Sequence, residues 1–170
     1  MSELAGNAKP FESVWDYPRP PRLEAVEWRI RVVHAGVTIV DAPRAIRVLE
    51  TSQPPAYYVA PEFVDRPLLV ASVARATLCE WKGVAEYADV VIPAHGDTTP
   101  VVVPAAAWTY ADPDRGFSPL AGHWAFYAQK LDGCWIDDER VASNEGSFYG
   151  GWVTINVTGP FKGAPGSSHW

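Results

Sequence analysis

The sequence predicts a mainly β fold: a compact antiparallel domain, barrel- or sandwich-like, of short strands with one or two helical turns. Three observations carry this. Val and Ile total 26 against 8 Leu and 1 Met, and β-branched side chains suit pleated sheets better than helices. Sixteen prolines in 170 residues, roughly twice the ordinary share, punctuate the chain into short pieces. No window of eleven or more residues carries a 3.6-residue apolar period, whereas short alternating runs recur between turn residues. With 48% hydrophobic and 20% charged residues the chain is not disordered. A domain of this size buries roughly 70% of its unfolded surface without staples.

Three regions follow. Residues 1–23 read as an extended arm. It ends in Tyr17-Pro18-Arg19-Pro20-Pro21, where each proline disfavours helix in its predecessor. Residues 24–158 form the β domain. Residues 159–170, rich in Gly, Pro and Ser, are a tail packing on or trailing from it. In the domain, 26–33 alternates as a strand, His34-Ala35-Gly36 turns, and 37–40 returns as a hairpin. Residues 44–50 form the next strand, Gln53-Pro54-Pro55 ends it, and 56–59 resumes. Residues 61–64 form a helical turn, with Pro61 in the first-turn position where its missing N–H costs nothing. Strands follow at 68–70, 74–81 and 84–92, the last two separated by Lys82-Gly83. A loop at 95–100 precedes the extended run 101–110, which Pro104 interrupts. A second loop at 112–116 leads to a helical turn at 117–122. Strands at 123–130, 134–137 and 152–157 complete the domain.

Three short patterns occur twice in the same order: Trp-x-Tyr at 15–17 and 108–110, Gly-x-x-Ile-x-Asp at 36–41 and 133–138, and aromatic-Lys-Gly at 81–83 and 161–163. They raise a candidate duplication into two pseudo-repeated lobes, 11–92 and 104–163. It requires residues 30–41 to match 127–138.

The net charge is −6. No basic cluster provides a footprint for nucleic acid or an anionic membrane. Arg29 with Arg31, and Arg44 with Arg47, are spaced like solvated positions on strands. No apolar run is long enough to span a membrane, and the first ten residues carry no secretory signal, so the expected location is the cytoplasm. Cys79 and Cys134 sit in apolar surroundings and are expected to be buried free thiols. His34, His95, His123 and His169 are isolated, so neither a metal nor a cofactor is expected. The sequence leaves the oligomeric state open.

Thr77-Leu78-Cys79-Glu80-Trp81-Lys82-Gly83 is the stretch richest in chemistry. Continued as a strand, it turns Thr77, Cys79 and Trp81 one way and Glu80 and Lys82 the other. A lysine beside carboxylates can anchor an anion or a carbonyl group. Glu50, Tyr57, Tyr58, Trp108 and Tyr110 supply aromatic walls with polar tips, which suit a small-ligand pocket. His123 lies between apolar neighbours. The candidate ligand-binding set is therefore Glu50, Tyr57, Tyr58, Cys79, Glu80, Lys82, Trp108, Tyr110 and His123, with Lys82 as anchor and Glu50 or Glu80 orienting it. No catalytic residue is assigned.

Several stretches carry a resemblance. They are residues 12–21 (ESVWDYPRPP), 47–50 with Pro55-Ala56-Tyr57-Tyr58, 79–87 (CEWKGVAEY), Ala107-Trp108-Thr109-Tyr110, 148–152 (FYGGW), and Gly159-Pro160-Phe161-Lys162-Gly163. On them the chain resembles the family called domain of unknown function 427, also labelled nucleotidyltransferase-like in domain libraries. The resemblance runs from about Glu12 to the C-terminus, and 79–87 is its most specific part. It implies a compact, mainly β fold in a soluble bacterial protein, and no established reaction. Familiar nucleotidyl transfer sets an Asp-x-Asp metal site after a Gly-Ser pair. Here no Asp-x-Asp follows Gly146-Ser147, and Asp112-x-Asp114 precedes it. Small-molecule binding is the leading reading. An enzyme acting on a small molecule, nucleotidyltransferase-like or other, and a structural or partner-binding module are the alternatives.

Overall fold

A computed structural model describes residues 9–146 and 148–170. The first eight residues of the expected arm, and Ser147 of the Gly146-Ser147 pair, lie outside the described residues. The strands are β1 (Glu12–Ser13), β2 (Arg22–Val26), β3 (Ile30–His34), β4 (Val37–Ala42), β5 (Ala45–Leu49), β6 (Ala56–Tyr58), β7 (Leu69–Ala71), β8 (Thr77–Cys79), β9 (Gly83–Ile92), β10 (Val101–Thr109), β11 (Trp124–Phe126), β12 (Gly133–Ile136), β13 (Glu139–Arg140), β14 (Ala142–Ser143), β15 (Trp152–Val153) and β16 (Val157–Thr158). The fold is mainly β as the composition predicts. The helical content is short 3-10 turns at Val14–Asp16, Pro61–Phe63, Arg66–Leu68, Arg115–Leu120 and Ala128–Lys130.

Three antiparallel sheets build the body. One runs β11-β10-β9-β7 with β8 also paired to β9, one runs β13-β12-β3-β4, and one runs β2-β5-β6. Among the described residues none of the sheets closes on itself, so the fold is a set of open sheets and not a barrel. The parallel pair β1-β16 ties the arm to the C-terminal segment.

Strand β9 shows why the chain needs several sheets. Its buried positions are Gly83 and Ala85 at the start, then Ala88, Val90 and Ile92. The buried phase changes from odd to even, so the strand is covered on one face first and on the other later. Ala88, Val90 and Ile92 join the main core with Ile30, Val32, Ile39 and Val40. Ala85 joins a second cluster with Tyr58, Trp108, Tyr110, Phe117 and Leu120. Strand β10 tolerates Pro104 because the register against β9 shifts between Val103 and Ala107, and a bulge needs no ladder N–H there. Asp89 accepts the freed Ala105 N–H at 2.8 Å. Lys130 Nζ donates to the Pro104 and Ala105 carbonyls at 3.1 and 3.2 Å.

Several expectations change. Residues 26–33 are not one strand: β2 pairs with β5 and β3 with β4 and β12, a change of partner that alternation does not register. The run 74–81 is extended only at β8, the run 123–130 gives β11 and then a 3-10 turn, and 152–157 is split between β15 and β16. The duplication fails its own condition, because 30–34 is strand where 128–130 is a 3-10 turn. Trp15 likewise sits in a 3-10 turn and Trp108 in a strand.

Arg47 overturns the solvated-face reading. It is 4% exposed. Its guanidinium pairs with Glu12 of the arm and with Glu24 of β2, the latter at 2.7 Å. It also lies over the Trp28 ring, 5.0 Å from the centroid. Arginine's planar fork suits two carboxylates at once, and its stem packs as an apolar chain.

Candidate functional site

The second cluster is incompletely filled. Between the β5–β6 edge, the β8–β9 turn and the C-terminal segment it leaves an open cavity of about 230 Å³. Seven of the nine sequence candidates line it: Glu50, Tyr58, Cys79, Glu80, Lys82, Trp108 and Tyr110.

Local structure explains how Lys82 arrives there. Strand β8 ends at Cys79, and residues 80–82 form a turn into β9. The strict alternation expected across 77–82 therefore stops, and Lys82 does not face away from Cys79. The Asp114 N–H donates to the Lys82 carbonyl at 2.8 Å. Gly83 follows at φ +104°, a left-handed conformation, and a Cβ there would press on Asp114 Oδ1 at 3.2 Å.

The walls are held ring against ring. Trp108 Nε1 donates to Tyr58 Oη at 3.0 Å, and the two rings meet edge to face at 6.1 Å. Tyr127 packs on Trp108 at 4.5 Å, and its hydroxyl donates to the Phe148 carbonyl at 3.1 Å. Gly150 closes the wall, since a Cβ there would run into the Trp108 ring.

Lys82 is 9% exposed, with its ammonium 5.7 Å from the Tyr110 ring centroid. Among the described residues no carboxylate lies within 4.0 Å of it. Burial opposes its charge, but a side-chain hydrogen bond with Cys79 and the Glu50 carboxylate help to outweigh burial and hold its pKa above the ordinary value. Burial pushes the phenols of Tyr58, Tyr110 and Tyr127 upward. They are neutral hydrogen-bonding groups at physiological pH. Glu50 is engaged elsewhere: Gln53 Nε2 donates to it at 3.1 Å, and Arg19 Nε lies 4.0 Å away. Glu80 is exposed at the mouth. The set can hold an anionic group against apolar rings. Among the described residues no three His, Cys, Asp or Glu side chains converge as a metal would need.

Two candidates are not brought in. Tyr57 neighbours Tyr58 on β6, so alternation sends it to the opposite face. There it stacks on Trp152 at 5.5 Å within the main core. His123 lines a separate cavity of about 220 Å³ with Arg44 and Phe63, its Nδ1 3.2 Å from the Ala121 carbonyl. The cavity also uses residues that sequence reasoning passed over: Tyr127, Tyr149 and Lys162. Lys162 carried a signal, the recurring aromatic-Lys-Gly motif. Tyr127 carried none.

A family model described as Domain of unknown function (DUF427) matches residues 22–137. No curated protein matches the chain. The matched span includes Lys82 and its aromatic walls and stops short of Tyr149 and Lys162.

Proposed function

Because the chain belongs to the DUF427 family, which brings no reaction with it, we propose a function from the cavity itself: binding of a small anionic molecule, with Lys82 as anchor and Tyr58, Trp108 and Tyr110 as walls. The observation that carries this reading is a lysine nine-tenths buried whose ammonium has no carboxylate within 4.0 Å among the described residues. Protein interiors rarely hold a charge without a close counter-charge. A bound anion supplies it, and the rings exclude water so that the pair is stronger than it would be in solvent. The neutral phenols suit hydrogen bonding to that anion better than proton transfer. The test is a thermal-shift screen of small carboxylates, phosphates and nucleotides on wild type and Lys82→Met. An anion at a hundred times its Kd adds about 2.7 kcal/mol, or roughly 5–10 °C for a chain of this length. The shift is expected in wild type and absent in Lys82→Met. Equal stabilisation of both proteins by the same anion would place binding elsewhere and defeat the proposal.

A further inference from the structure

We infer that the ligand of this cavity carries two anionic groups, one for Lys82 and one for Lys162, and belongs to the class of small dicarboxylates with an apolar middle. The inference rests on the anion-binding reading above and narrows it. Its source is the repeated aromatic-Lys-Gly motif. The duplication it raised fails, yet the lysines of both copies line one cavity. The two are also built alike. The Lys82 carbonyl accepts from the Asp114 N–H at 2.8 Å, and the Lys162 carbonyl accepts from Asn144 Nδ2 at 2.7 Å. Each lysine is followed by a glycine in the left-handed region, φ +104° at Gly83 and +127° at Gly163. A Cβ on Gly163 would fall 2.6 Å from the Glu145 carbonyl oxygen. The Lys162 N–H donates to Ser52 O at 2.7 Å. Each lysine backbone is thus pinned independently of what its side chain binds.

The four lysines divide cleanly. Lys9 pairs with Asp137 at 2.8 Å, and Lys130 donates to the carbonyls of the β10 bulge. Among the described residues the ammonium groups of the other two, Lys82 and Lys162, have no carboxylate within 4.0 Å. Lys82 is buried and Lys162 half-buried, its Nζ 5.4 Å from the Tyr149 ring centroid. The two lysines therefore differ in burial, and aromatic residues line the cavity with them. Of the carboxylates on the lining, Glu50 already has Gln53 and Arg19, and Glu80 is exposed at the mouth. No arginine is among the described lining residues, and no α-helix offers an N-terminus among the described residues. Arginine forks suit carboxylate and phosphoryl groups alike, whereas backbone N–H arrays at helix N-termini favour phosphoryl groups, so carboxylates, which a lysine point charge holds without such an array, are the class inferred.

The experiment is isothermal titration of α,ω-dicarboxylates from succinate to suberate, and terephthalate, each against the monocarboxylate of the same skeleton. Phenyl phosphate beside benzoate tests the phosphoryl alternative. Wild type, Lys82→Met, Lys162→Met and Lys162→Arg are compared, with circular dichroism to confirm that each is folded. The expected result is that one dicarboxylate binds about tenfold tighter than its monocarboxylate, the gain of one further charge-assisted contact. Lys162→Met removes that gain and leaves the monocarboxylate unchanged, Lys162→Arg keeps it, and Lys82→Met abolishes both. A monocarboxylate that binds as tightly as every dicarboxylate overturns the two-anion inference and leaves the Lys82 anchor standing. So does a Lys162→Met variant that weakens mono- and dicarboxylates alike. Tighter binding of phenyl phosphate than of every carboxylate overturns the carboxylate class. No saturable binding of any of these anions overturns the anchor reading, and this inference with it.

Discussion

Replacing Arg47 by Met should cost about 3 kcal/mol of stability, far more than a charged residue on a solvated sheet face. The side chain is 5% exposed and bonds two carboxylates, Glu12 at 22% and Glu24 at 35% exposure. Arg47 Nε donates to Glu24 at 2.8 Å, and Tyr17 Oη adds a second bond to Glu12 at 2.7 Å. A hydrogen bond to a charged group is worth about 1.5–3 kcal/mol. The Glu24 contribution is discounted for its exposure, which leaves the sum near the low end of the 3–5 kcal/mol typical of breaking a buried pair. Met keeps most of the apolar contact with Trp28, so the loss isolates charge and hydrogen bonding. Urea unfolding followed by tryptophan fluorescence reads it directly, and the melting temperature should fall by about 6–12 °C. A double-mutant cycle with Glu12→Gln should return a coupling of about 1–2 kcal/mol. A loss under about 0.5 kcal/mol, the range of ordinary surface substitutions, would refute the argument. The effect extends to the site, because Arg47 pairs with Tyr57 in the β5–β6 register and that register sets Tyr58 and Glu50.

Other outcomes follow from the same structure. Burial works to raise the Glu12 pKa, but the bonds from Arg47 and Tyr17 outweigh it and hold it below the ordinary carboxyl value. A lowered folded pKa stabilises above the unfolded value and is lost as pH falls through the folded one. The stability gap between wild type and Glu12→Gln should thus be full above about pH 5 and close on acidification; a gap unchanged from neutral to acid pH would contradict it. Gly150→Ala should cost about 1–3 kcal/mol by overpacking against Trp108 and weaken anion binding. Gly116→Ala, with open space around it, should do neither, and equal effects from the two would remove the steric account. Burial pushes the Cys134 thiol up to about 12. Iodoacetamide should therefore modify half-buried Cys79 on the cavity wall in the native protein and Cys134 only after unfolding, as read by mass spectrometry of digests.

The sequence by itself determined the class of fold and the centre of the candidate site. Val and Ile over Leu, with proline at the breaks, mean short strands, because side-chain stiffness and a missing N–H act locally. Lys82, Tyr58, Trp108 and Tyr110 were legible for the same reason: each sits beside a local feature, a turn glycine or a run of rings. Tyr57 belongs to the main core and Tyr58 to the cavity, a separation that period-two alternation along β6 already implies. Other features depend on partners distant in the chain. The two aromatic-Lys-Gly motifs looked like the trace of a repeat, yet they lie 80 residues apart and meet only because the C-terminal segment returns to Ser52 and Asn144. Arg47 reads as a surface residue until Glu12 and Glu24 are folded over it. Tertiary structure decided these points because burial and charge pairing are properties of what surrounds a side chain, and a strand's own sequence does not encode which elements will cover it.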